Sequence, residues 1–69
     1  MYTHIEADLL MLAEEREGAA SNERLWAKGS NTPETIAMHE ENAAECVELA
    51  AIYRRMAKKA RELYEQFGG

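Results

Sequence analysis

From Thr32 to Phe67 the chain carries no glycine and only one proline, Pro33, while apolar and small residues return at intervals of three and four. That pattern predicts one long helix, with Thr32 as its cap and Pro33 at the first position, where a missing amide hydrogen does no harm. Two rows recur every seven residues along it. One is Ile36, Ala43, Ala50, Ala57 and Tyr64, and the other is His39, Cys46, Tyr53, Ala60 and Phe67. Leu49, Met56 and Leu63 widen the stripe on one flank.

Ahead of this stretch, Ile5, Leu9, Leu12, Ala13, Ala19, Ala20 and Trp26 keep the spacing of one buried helical face. Thr3-His4-Ile5-Glu6 fits a capping box, so the first helix is expected to begin at about residue 3. Gly18 and the neighbouring Ser21-Asn22 predict a soft spot within it, without a break. Lys28-Gly29 predicts its end, with Gly29 free to take the left-handed conformation. The expected elements are therefore helix 1 over about 3–28, a turn over 29–32 and helix 2 over about 33–67. So short a link makes the helices antiparallel, with facing residues whose numbers sum to about 62. Glu23 then lies level with His39 and Arg16 with Cys46. Helix 2 should outrun helix 1 by about two turns, leaving Tyr64 and Phe67 without a neighbour in their own chain.

Rows of alanine on helix 2, facing Ala13, Ala19 and Ala20, allow the two backbones to approach closely. A chain of 69 residues folded as one hairpin has little interior, and a single cysteine, Cys46, forms no internal disulfide. A second copy is the expected remedy, giving an all-α antiparallel hairpin that dimerises into a four-helix bundle. The expected dimer face comprises Cys46, Leu49, Ile52, Tyr53, Met56, Leu63, Tyr64 and Phe67.

The net charge of −5 argues against general affinity for nucleic acid or anionic membrane. Its distribution is uneven: residues 1–48 carry eleven acidic and three basic side chains, and residues 49–69 carry two acidic and five basic ones. No apolar run is long enough to cross a bilayer, and the beginning of the chain does not read as a signal peptide, so a cytoplasmic protein is expected.

The search for chemistry yields little. His39-Glu40-Glu41-Asn42-Ala43 opens like a zinc-protease motif but places alanine where the second histidine belongs, and neither His39 nor His4 follows a glutamate at the spacing of di-iron bundles. No metal, no cofactor and no enzymatic activity are expected. Arg16, Glu23 and His39 fall on or beside the apolar stripes, and the expectation is a polar layer in which Glu23 pairs with His39 and an acid caps Arg16. The other reading of Arg16 is a small anion or nucleotide pocket repeated by symmetry. Arg54, Arg55, Lys58, Lys59 and Arg61 could grip phosphate, and a four-helix dimer of this size resembles in architecture a small plasmid-encoded RNA-binding protein. The plainer expectation is that these cations face Glu6, Asp8, Glu14 and Glu15 across the hairpin.

In size and charge the chain also resembles accessory and inhibitory proteins of phages and mobile elements, which implies binding to a host or cellular protein. The expected function is accordingly that of a small acidic, non-enzymatic homodimer that binds and modulates a protein with a basic surface. Glu14, Glu15, Glu17, Glu41, Glu45 and Glu48 would meet that surface, with Leu25 and Trp26 as anchors. The alternative is an RNA- or nucleotide-binding dimer that uses Arg16 and the basic end of helix 2.

Overall fold

The computed structural model describes the backbone from residue 2 to residue 67 and the side chains from residue 4 onward. Two helices, α1 (Tyr2–Gly29) and α2 (Pro33–Gln66), lie side by side as an all-α hairpin, with no strand among the described residues. The Cα trace measures 54 × 13 × 10 Å, and its radius of gyration of 15.9 Å exceeds the ~11 Å of a compact domain of this length.

Side chains local to the turn make it. Thr32 is extended (φ −114°, ψ 142°), and its Oγ1 accepts the amide of Thr35 at 3.3 Å. The Thr32 and Thr35 hydroxyls share a second bond of 2.6 Å, and the Thr32 carbonyl accepts the Ile36 amide at 3.1 Å. One of the free amides at the start of α2, that of Thr35, is thereby occupied, and the Ile36 bond is the first regular turn of the helix.

The end of α1 differs from expectation. Gly29 remains helical and does not take the left-handed conformation. Ser30 closes the helix instead: its amide donates to the Ala27 carbonyl at 3.2 Å and its hydroxyl to the Trp26 carbonyl at 2.7 Å. A side-chain donor here removes the need for a glycine turn. At the other end, α1 is already helical at Tyr2, which puts Thr3 inside the helix and not at its cap. The Thr3 side chain lies outside the described residues, and the Glu6 carboxylate turns to Arg61 across the hairpin at 3.6 Å. The helix is continuous through Gly18, Ser21 and Asn22.

Among the described residues every buried one is an alanine. Ala13, Ala20 and Ala27 on α1 oppose Ala43, Ala50, Ala57 and Ala60 on α2, all at most 8% exposed, and no larger side chain is fully buried. The sevenfold spacing of Ala13, Ala20 and Ala27 and of Ala43, Ala50 and Ala57 keeps their methyl groups on one line, with Ala60 beside it, so the helices meet along a seam of methyls. Each methyl withdrawn from water contributes only about 0.8 kcal/mol. The larger side chains expected on the buried stripe of α1 stay in solvent: Ile5 is 43% exposed, Leu12 40% and Trp26 57%.

Two substitutions test the seam and the helix beside it. A Cβ built on Gly18 meets nothing within 4 Å, so Gly18→Ala should raise stability by about 0.5–1 kcal/mol, visible as a higher melting temperature by circular dichroism. Ala50, 2% exposed, has no such freedom. Ala50→Leu should separate the helices and cost about 1–3 kcal/mol, read from the urea midpoint.

Candidate interaction face

An α-helix turns about 100° per residue, so the line of alanines divides each helix into two flanks. Contacts across the hairpin identify which flanks belong together. Glu23 and Trp26 of α1 meet His39 of α2, whereas Glu17 meets Arg54 and Glu6 meets Arg61. The hairpin therefore has one apolar side and one charged side.

On the apolar side α1 presents Ile5, Leu9, Leu12, Ala19 and Trp26, and α2 presents Cys46, Leu49, Tyr53, Met56 and Leu63. Leu9, Cys46, Tyr53 and Leu63 are half-buried; Leu49 is 41% exposed, Met56 49% and Phe67, at the open end, 68%. Ile52, 41% exposed, lies further round α2 on the rim beside Leu49 and Met56. The expected dimer face is thus gathered largely on one side, and α1 widens it with a row that was expected to be buried.

Polar residues interrupt this side: Glu23, His39 and Arg16, and the half-buried Asn42 seven positions before Leu49. His39 Nδ1 and Glu23 Oε2 lie 2.5 Å apart, both side chains 17% exposed, and the Trp26 ring leans over the imidazole with centroids 5.8 Å apart and planes at 55°. This pair is the one the turn geometry predicts. Arg16 departs from expectation: it is half-buried, yet among the described residues no acid pairs with it. Its helical neighbours three and four positions away are Leu12, Ala13, Ala19 and Ala20, none of which can accept a hydrogen bond from it.

The charged side carries the basic run. Arg54 holds Glu17 by two bonds of 2.7 and 3.1 Å, and Arg61 reaches both Glu65 at 3.1 Å and Glu6. The expectation that these cations face acids across the hairpin holds for Glu6, but Arg54 takes Glu17 and not one of the four acids expected. Glu17 is thereby removed from the free acidic surface. Its partner lies more than two turns beyond the facing number. Arg55, Lys58 and Lys59 are exposed and make no ion pair among the described residues. Tyr64 also departs from expectation, since it shares a hollow with Glu6 and so has a neighbour in its own chain.

Glu14, Glu15, Glu41, Glu45 and Glu48 are exposed, as is Leu25 at 62%. Leu25 and Trp26 do not form one anchor. They stand about 100° apart on α1, and Trp26 belongs to the apolar side. Among the described residues no three side chains of His, Cys, Asp or Glu converge to hold a metal ion. No helix is long and apolar enough to cross a membrane. The hollows of the surface are shallow grooves along the seam; one of about 310 Å³ runs past Glu17, Ser21, Arg24 and Arg54. What the sequence reading missed is the role of Ala27, which completes the alanine row of α1. Its signal was present in the sevenfold spacing from Ala13 through Ala20.

Comparison with protein families, curated proteins and solved structures finds no match.

The hydrogen bonds from Arg54 hold the Glu17 carboxyl below the ordinary glutamate range, against the smaller opposing effect of desolvation. A carboxyl depressed in the folded state adds stability above its unfolded value and loses it as pH falls through the folded value. Carbon-detected NMR titration should therefore show Glu17 protonating below the ordinary glutamate value, and Arg54→Gln should return it toward that value. On the apolar side, Glu23→Gln replaces a charge-assisted bond by a neutral one and should cost about 1 kcal/mol in thermal stability.

Proposed function

We propose that the chain acts as a small acidic homodimer, a four-helix bundle of two hairpins, that binds and modulates a partner protein. One observation carries the first half of this reading. Among the described residues the buried ones are all alanines, while twelve large apolar side chains remain exposed, seven of them on one side or its rim. Contiguous apolar surface on that scale marks an interaction site. A second copy covers it with a surface of the same chemistry, and the two-fold dimer is the commonest closed assembly. Face-to-face packing then supplies the interior that one hairpin lacks, with Leu12, Leu49, Tyr53, Met56 and Leu63 at its centre.

Covering the apolar side leaves the outer surface to meet other molecules. That surface is acidic over the half nearest the turn, where Glu41, Glu45 and Glu48 stand exposed along α2 and Glu14 and Glu15 along α1. A basic protein surface is the complement, with Leu25 as an apolar anchor inside the acidic field. The cytoplasm and a role in blocking a host or cellular protein fit this composition. Nucleic acid fits it less well, because Arg54 and Arg61 are already held by acids of their own chain.

Leu49→Asp combined with Met56→Asp places two carboxylates in the covered face. Sedimentation equilibrium should show the dimer lost, and circular dichroism should show helix lost with it; a stably folded single hairpin would contradict the reading. Lysine at Glu41, Glu45 and Glu48 should leave the dimer intact and abolish capture of a basic partner that the unmodified protein retains.

A further inference from the structure

Arg16 sits at the midpoint of α1, between the seam alanines Ala13 and Ala20 and turned to the apolar side. It is half-buried in the free hairpin and has no acid partner among the described residues. The nearest acid on the same side, Glu23, lies two turns away and is taken by His39. While the apolar side is open, water satisfies the guanidinium. Once that side is covered, water is displaced, and a buried guanidinium without an acceptor is costly.

The consequence follows from symmetry and rests on the dimer proposed above. A two-fold axis running along the bundle keeps every residue at the height of its own copy. An axis running across the bundle exchanges the two ends, but returns the midpoint of α1 to its own level when the two α1 helices overlap fully. In either arrangement the two Arg16 side chains arrive at the same level. Because each springs from beside its own seam and not from the rim, both point to the centre of the bundle. Two like charges then converge among Cys46, Leu49 and Tyr53, with no carboxylate of either chain on the inner surface free to separate them.

We infer that the dimer binds one small oxyanion of the phosphate or sulfate class on its two-fold axis, held between the two Arg16 guanidiniums. The chemistry suits the place. A guanidinium presents paired N–H donors at the spacing of two oxygens of a tetrahedral oxyanion, and two of them, facing, neutralise a dianion. The Tyr53 hydroxyl stands on the same side and offers a further donor. The anion is then a structural part of the interface, and association of the chains depends on it.

The experiment is sedimentation equilibrium of the full chain in sodium chloride and in sodium phosphate of equal ionic strength, with sulfate as a second arm and calorimetric titration of inorganic phosphate for stoichiometry. Phosphate should tighten dimerisation about tenfold when present at ten times its own Kd, with one anion taken up per two chains. Arg16→Gln should abolish both the tightening and the uptake while circular dichroism confirms that helix is retained, and Arg54→Gln should preserve both. A dimer indifferent to phosphate, or one in which Arg54→Gln removes the response as well, overturns the anion site and leaves the dimer standing. A dimer with tight uptake of two anions per chain on its outer surface also overturns it. A folded monomer at every phosphate concentration overturns the anion site together with the dimer.

Discussion

The close contact between α1 and α2 through methyl groups alone is the constraint on which the rest of this molecule depends. Alanines seven apart on each helix let the two helices approach closely, and among the described residues no larger side chain is fully buried between them. Leucine, tyrosine and methionine are consequently displaced to the flanks, where one helix alone cannot cover them. A wider hairpin with leucine in its seam would hide its apolar residues between the helices and present a polar exterior. This one does the reverse: it joins its two helices through methyl groups and leaves its large apolar side chains on the flanks.

The division of the two flanks follows from the same line of alanines. Acids of α1 and cations of α2 that fall on one side pair along the groove, as Glu17 does with Arg54 and Glu6 with Arg61. These pairs are exposed and individually weak. Their effect is directional, because a flank occupied by mutual ion pairs does not compete with the apolar flank for a covering partner. The polar residues on the apolar flank are few and uneven in their circumstances. Glu23 and His39 satisfy one another under Trp26, while Arg16 faces outward with its donors unused.

Much of this architecture was legible in the residues. Two helices, their antiparallel order, the Thr32-Pro33 entry to α2 and the Glu23–His39 pair all follow from spacing and capping rules that act within a few residues of chain. The misreadings share a different character. Gly29 looked like a left-handed cap because the sequence shows a glycine after a lysine, and it does not show that the Ser30 hydroxyl will reach back to the Trp26 carbonyl. Ile5, Leu12 and Trp26 looked buried because hydrophobicity and helical period are visible in a sequence and interhelical distance is not. Glu17 looked like free surface because a long arginine can travel along a groove, so the partner of Arg54 cannot be read from facing numbers. In the last two cases the deciding quantity was a distance between the helices; at Gly29 it was a hydrogen bond made by the next residue.

Alanine at an interval of seven has a further geometric consequence. A straight α-helix needs slightly more than seven residues for two turns, so methyls that recur at seven stay in contact only if both helices wind left-handed about each other. With a pitch of roughly 150 Å, the 54 Å of this hairpin completes about a third of a revolution. Its oily flank is therefore a shallow screw thread, and a rigid straight rod laid along it would lift away at one end. Only a body coiled in the same sense stays in touch from the Ser30 bend to Phe67.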